Sequence, residues 1–353
     1  MKKSIKVLVI DDSALVRQTL TDIINSDDQL EVMGVAADPY FAAQKIRTSI
    51  PDVITLDVEM PRMDGLTFLR TLMAQYPIPV VIISSLTQKG SDLALKALDL
   101  GAVEIVAKSE IRNTKDHLED SKIRITDAIK AAYMVPVKRR SLNSAATEYP
   151  KVHKVEPSHD HDIYKTTDKV IAIGASTGGT EALRYFLTRT PATSPGILIT
   201  QHMPPGFTKS FADQLNTICE VTVKEATNGE RVMRGHAYIA PGGKHMELYR
   251  SGAKYFIKIQ DGPLVNRHKP SVEVLFNSVA VHAGQNAVGI IMTGMGRDGA
   301  QGLLNMREAG ARTIAQDEKS CVVFGMPKEA IMLGAADQIM PLEEIPRRVL
   351  GFF

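Results

Sequence analysis

Residues 170–180 read VIAIGASTGGT. The first four, Val170 to Ile173, are apolar and mostly β-branched, which predicts a short buried strand; glycines at 174, 178 and 179 then predict a tight turn running into a helix of small residues. Ser176 stands in the middle of that turn. A glycine-rich turn of this kind lifts a hydroxyl off the end of a strand, where backbone N–H groups can meet an oxyanion. The same letters also suit a phosphate cradle or a helix cap, so the rest of the chain must decide.

The pattern of strand, polar residue and helix occurs twice more. Ile197 to Thr200 (ILIT) leads into Gln201 and His202, followed by Phe207, Phe211 and Leu215 at every fourth position. Val288 to Gly294 (VGIIMTG) leads into Met295-Gly296-Arg297-Asp298, then Leu303, Met306 and Ala309, with Gly310 as the stop. Polar residues that follow parallel strands gather on one rim of the sheet, where open α/β folds bind ligands. Ser176, His202 and Asp298 therefore form a candidate triad. The serine would be the nucleophile, His202 would take its proton, and Asp298 would orient the imidazole and stabilise its charged form. Backbone N–H groups of Met295 or Gly296 are the candidate oxyanion donors. Singly, each residue has a plainer reading: a helix cap, a loop histidine and a turn aspartate. Three of them at three strand ends are better explained as a triad. The chain order Ser, His, Asp differs from that of the α/β-hydrolases, so that fold is not implied.

Ahead of this half, Val7 to Ile10, Val53 to Leu56 and Val80 to Ile83 alternate with amphipathic helical patterns, which predicts βαβ units and a second parallel sheet. Its strand ends carry Asp11, Asp12, Asp57, Ser84 and Lys108. Three carboxylates so placed repel one another and call for a cation, and all-oxygen ligation suits Mg²⁺. Between the halves, residues 134–167 are polar and broken by prolines, too poor in large apolar side chains to offset their ordering entropy, and read as a flexible linker. Lys138-Arg139-Arg140 and His153, His159 and His161 within it are taken as solvated rather than as a nucleic-acid or metal site.

Composition narrows the partners. Net charge is +2 with 23% charged residues, which gives no single-sign field for nucleic acid or an acidic membrane. Cys219 and Cys321 lack metal-ligand spacing and are too few for a disulfide framework, which fits a reducing cytoplasm. No apolar run approaches the roughly 20 residues of a membrane span, and the opening MKKSIKVLVIDD has an apolar run too short for a signal peptide's roughly 7–15 residues. Nothing in the chain demands more than a monomer.

Asp11-Asp12, the segment ITLDVEMPRMDG around Asp57, Ser84 and Lys108 resemble the receiver domain of bacterial two-component response regulators. The resemblance implies that Asp57 accepts a phosphoryl group from a histidine kinase, that Asp11, Asp12, Asp57 and the Glu59 backbone carbonyl hold Mg²⁺, and that Ser84 and Lys108 sense the phosphoryl oxygens. One departure is Ser109, where receivers usually place proline after the lysine. GASTGGTEA, TQHMPPGFT, YIAPGGKHMEL, RHKPSVEVLF and MTGMGRDGA resemble the catalytic domain of the chemotaxis protein-glutamate methylesterase family. That likeness implies hydrolysis of glutamate γ-methyl esters on chemoreceptor helices, together with deamidation of receptor glutamines, and it adds Lys244, His245, Arg267 and His268 as polar candidates for the substrate cleft. The expected fold is α/β: two doubly wound parallel-sheet domains, a flavodoxin-like receiver over 1–133 and a Rossmann-like three-layer hydrolase domain over 168–353, joined by the linker. The competing reading is a response regulator with a non-enzymatic nucleotide-binding or protein-interaction output. It is weakened because the glycine-rich loop has no lysine and no acidic residue ends a neighbouring strand about 20 residues on.

Overall fold

The computed structural model describes residues 4–60, 65–111, 118–137 and 169–353. The tripeptide Lys138-Arg139-Arg140 and the linker histidines lie outside these residues. The chain divides into two units, Met1–Glu148 and Tyr149–Phe353.

The first unit runs β1 (Ile5–Ile10), α1 (Ala14–Asn25), β2 (Leu30–Ala36), α2 (Pro39–Thr48), β3 (Val53–Asp57), α3 (Gly65–Gln75), β4 (Val80–Ser84), α4 (Gln88–Asp99), β5 (Glu104–Ala107), the short α5 (Lys108–Ile111) and α6 (Leu118–Tyr133). Its five strands are parallel in the order β2-β1-β3-β4-β5. The chain moves outward from β1 to β2 and then returns to β3 on the other side of β1, so the ends of β1 and β3 flank the point where the winding reverses. Asp11 follows β1 and Asp57 closes β3, which makes them neighbours. Helix starts follow the side chains: Ser13 caps α1, Asp38 caps α2 with Pro39 at its first position, and Thr87 caps α4.

The second unit contains β6 (Val170–Ala175), α7 (Gly179–Leu187), β7 (Gly196–Gln201), α8 (Phe207–Asn216), β8 (Thr222–Glu225), β9 (His236–Ile239), β10 (His245–Ser251), β11 (Lys254–Gln260), α9 (Val272–His282), β12 (Ala287–Ile291), α10 (Ala300–Glu308), β13 (Arg312–Gln316), α11 (Met326–Met332), β14 (Gln338–Met340) and α12 (Ile345–Leu350). Seven parallel strands lie in the order β14-β13-β12-β6-β7-β9-β8. Val170 and Ala172 of β6 join Phe276 of α9 and Leu303 and Met306 of α10 in one apolar core, while the alternate residues Ile171 and Ile173 are equally buried. A parallel sheet covered on both faces has this unbroken apolar signature, and it is why 170–175 shows no polar alternation. The doubly wound α/β expectation holds. β10 and β11, however, form a separate antiparallel hairpin turned at Gly252, which the parallel reading did not anticipate.

Candidate functional site

β12, β6 and β7 lie side by side with β6 in the middle, so the three segments singled out in the sequence end on one rim. Ala175 pairs with Gln201, and the His202 N–H donates to the Ala175 carbonyl at 3.2 Å. The next residue on each strand is Ser176 and His202. Ser176 is 9% exposed, and its N–H donates to the Thr293 carbonyl at 3.0 Å, which ties it to the end of β12. Gly294 lies so close that a Cβ there would stand 2.7 Å from Ser176 Cβ, so any other residue would displace the serine. The helix-cap reading of Ser176 fails: α7 is preceded by Gly178 at φ 78°, with no side-chain cap bond.

Asp298 lies at the N-terminus of α9 and is 1% exposed. Its Oδ2 accepts from Val272 N–H at 2.7 Å and contacts His202 Nε2 at 2.8 Å; its Oδ1 accepts from Ser271 Oγ at 2.7 Å, Asn266 Nδ2 at 3.0 Å and Glu273 N–H at 3.3 Å. Burial alone would raise its pKa. The hydrogen bond and charge of His202, the Asn266 amide and the charge of His268 outweigh that and hold it down at about 2. A carboxylate only accepts, so the proton of this contact lies on Nε2, and whenever the imidazole is neutral its lone pair is on Nδ1. That nitrogen is buried and has no hydrogen-bond partner among the described residues. Ser176 Oγ makes no hydrogen bond among them either, so the serine and the imidazole are adjacent at the rim without being bonded. The N–H groups of Met295 and Gly296 also donate to no described acceptor.

The other cleft candidates separate. His245 is 2% exposed, with Nε2 on the Pro263 carbonyl at 2.9 Å and Nδ1 accepting from Ser271 N–H at 3.3 Å, which makes it a loop fastener rather than a substrate contact. Lys244 and Arg267 are exposed. His268 stacks on His202 with ring centroids 3.6 Å apart and planes 9° apart. Asn266 and Ser271 were not singled out in the sequence. Their only signal was their place in the segment that enters α9.

In the first unit, Asp11, Asp12 and Asp57 each bring a carboxylate oxygen within 4.8 Å of the others. Lys108 Nζ lies 2.8 Å from Asp57 Oδ2 and 3.0 Å from Asp11 Oδ2, despite Ser109 beside it. Burial raises the pKa of both Asp11 and Asp57, and Lys108 opposes this without reversing it. Asp11 Oδ2 faces no donor but the Lys108 ammonium among the described residues, an exposed Asp12 completes the group, and Glu59 N–H donates to Asp57 Oδ1 at 2.9 Å. An under-satisfied cluster of oxygens suits a hard divalent cation. Ser84 donates to the Gly90 carbonyl at 3.0 Å.

A family model described as CheB methylesterase matches residues 171–349, and one described as response regulator receiver domain matches residues 7–119. A protein-glutamate methylesterase/protein-glutamine glutaminase of Geobacter metallireducens is 57% identical over 351 residues, covering 99% of each chain. A counterpart from Rhizobium johnstonii is 55% identical over 360 residues, covering 99% of this chain and 98% of that one. The crystal structure of the Thermotoga maritima CheB methylesterase catalytic domain aligns with TM-score 0.51 and 39% identity, over 52% of this chain and 98% of that one.

Proposed function

The chain belongs to the CheB methylesterase family and carries a response-regulator receiver ahead of its catalytic part, and we propose that it is a serine-dependent hydrolase of glutamate γ-methyl esters on chemoreceptors, switched on by phosphorylation. The observation that carries the serine chemistry is the buried Asp298–His202 pair beside Ser176 on the neighbouring strand end.

In this mechanism the Ser176 hydroxyl gives its proton to His202 Nδ1 as Oγ attacks the ester carbonyl. The oxyanion takes hydrogen bonds from the N–H groups of Met295 and Gly296. Collapse of the tetrahedral intermediate breaks the C–O bond, and the proton on Nδ1 leaves with the methoxy group as methanol. Water then attacks the acyl-serine, giving its proton to Nδ1, and glutamate is released as the serine is reprotonated. A glutamine side chain would follow the same course with ammonia as the leaving group, which supports glutaminase activity as well. Asp298 keeps its charge throughout and stabilises the imidazolium.

Asp57 is the proposed phosphoryl acceptor, with a chemotaxis histidine kinase as the donor. Asp11, Asp12, Asp57 and the Glu59 carbonyl would hold Mg²⁺, whose charge offsets the repulsion between the carboxylates and the incoming phosphoryl oxygens. Lys108 would pass from the Asp57 carboxylate to a phosphoryl oxygen, and Ser84 would turn its hydroxyl from the Gly90 carbonyl to another. Access to Ser176 would then follow the state of Asp57. The partners proposed are methylated cytoplasmic receptor helices and the kinase, with the enzyme a cytoplasmic monomer. No described helix is long and apolar enough to cross a membrane.

Methanol release from methylated receptor membranes, with and without a small phosphodonor, tests both halves together. Release should rise with the phosphodonor and should vanish in Ser176→Ala. Activity retained in that variant removes the nucleophile assignment, and indifference to the phosphodonor removes the switch.

A further inference from the structure

The imidazole of His202, joined to its backbone through Cγ, is hydrogen-bonded at one ring nitrogen only. Nε2 sits on Asp298 at 2.8 Å, while Nδ1, the nitrogen that must meet the serine proton, has no hydrogen bond among the described residues to fix it. A ring held at Cβ and at Nε2 can still twist about the line joining them, which swings Nδ1, unless packing prevents it. The flat surface against it is His268, parallel within 9° at a centroid distance of 3.6 Å, close to van der Waals contact.

The turn that delivers His268 is strained. Val265 and His268 exchange both backbone hydrogen bonds, at 3.1 and 3.0 Å, across a two-residue turn whose central residues, Asn266 and Arg267, have φ of 50° and 70°. Asparagine tolerates the left-handed region. Arginine does not, and holding it there costs on the order of 1 kcal/mol. The same turn places Asn266 Nδ2 on Asp298 Oδ1 at 3.0 Å. One short, strained segment therefore touches both members of the Asp298–His202 pair, through a hydrogen bond to one and a stacked ring on the other.

We propose that His268 is a positioning residue: its ring, set by the Val265–His268 turn, keeps the His202 imidazole in the plane in which Nδ1 faces Ser176. This rests on the serine-hydrolase reading above. It assigns His268 no proton transfer and no substrate contact; beside its charge effect on Asp298, its part is the surface against which His202 lies. A flat aromatic ring of another kind should therefore do the same work.

The test uses the full-length protein with His268→Ala and His268→Phe, measuring kcat and KM for methanol release together with the rate of inactivation by a serine-directed phosphonate. His268→Ala should lower kcat and the inactivation rate about ten- to a hundredfold while KM stays within about twofold, because the nucleophile's partner is misaligned and the substrate surface is untouched. His268→Phe should recover most of the loss. An unimpaired His268→Ala overturns the proposal, as does a His268→Phe that is folded yet no better than alanine. If the alanine variant fails to fold, the phenylalanine variant decides in the same way, wild-type-like kcat supporting the stack and lost kcat overturning it. Ser176→Ala run alongside separates the layers: inactive beside an unimpaired His268→Ala, it leaves the serine reading standing and overturns the stack alone; active, it overturns both.

Discussion

The acidic pocket of the receiver and the Asp298 site of the catalytic unit are built alike and are charged differently. Both lie where strands end beside a reversal of sheet winding, and both bury aspartates almost completely. Asp298 accepts four hydrogen bonds from α9 and the turn before it and contacts His202, and its pKa falls to about 2. Asp57 and Asp11 share Lys108 and take one backbone N–H each, from Glu59 and Ser13, and their pKa values rise. Burial acts in the same direction on all three; the hydrogen bonds and charge facing each carboxylate, His202 foremost at Asp298 and Lys108 at the other two, decide the outcome. A carboxylate surrounded by donors is a finished part. One left short of them is waiting for positive charge.

Removing Asp298 gives the largest expected effect. Asp298→Ala leaves the Val272 and Glu273 N–H groups and the Ser271 hydroxyl without their acceptor, so kcat should fall roughly 10³- to 10⁴-fold and unfolding free energy by about 3 kcal/mol, read by methanol release and urea denaturation. A variant as stable as the parent would mean that the donor count is not what holds this site. Next, Mg²⁺ should raise the unfolding temperature of the receiver by roughly 2–5 °C, and Asp57→Asn should abolish most of that rise. No response to Mg²⁺ would break the view of the pocket as short of positive charge.

The last effect is on pH dependence, and its sign differs between the units. Asp298 is depressed from 3.8 to about 2, so its contribution, on the order of 2 kcal/mol, is present above about pH 4 and lost as pH falls toward 2. Asp11 and Asp57 are raised above 3.8, so their contribution is present below that value and is lost as pH climbs through their folded pKa values. Hydrogen exchange on the whole chain between pH 2 and 6 should show the segment entering α9 losing protection on acidification while the strands around Asp57 hold theirs. Parallel loss in both would remove the contrast.

The sequence carried the parts of this fold that local chemistry dictates. Val170–Ala175, Gly196–Gln201 and Ala287–Ile291 were legible because strands buried on both faces must be apolar throughout. Helix starts were legible where a side chain caps them, as at Ser13. Less visible was β12 taking its place beside β6, since pairing between strands so far apart in the chain leaves no mark in either segment alone. The hairpin β10–β11 has a recognisable signal in its Ser251-Gly252 turn, but it lies inside a strand-and-helix pattern that points to parallel pairing. Asn266 and Ser271 looked like ordinary loop polars; only the fold brings them to Asp298. His245 shows the converse, a residue carried into the cleft by likeness that the structure uses to fasten a loop.

The placing of β6 between β12 and β7 also bears on when the enzyme comes into being during synthesis. Val170 pairs with Ala287, and Ser176 leans on Thr293, so the strand bearing the serine lacks one neighbour until the chain has been made past residue 293 and has cleared the ribosome. The receiver, complete by Tyr133, can fold long before that. A nascent chain thus carries its receiver well ahead of any completed Ser176 rim, and premature termination after β11 would leave a receiver beside an unfinished sheet.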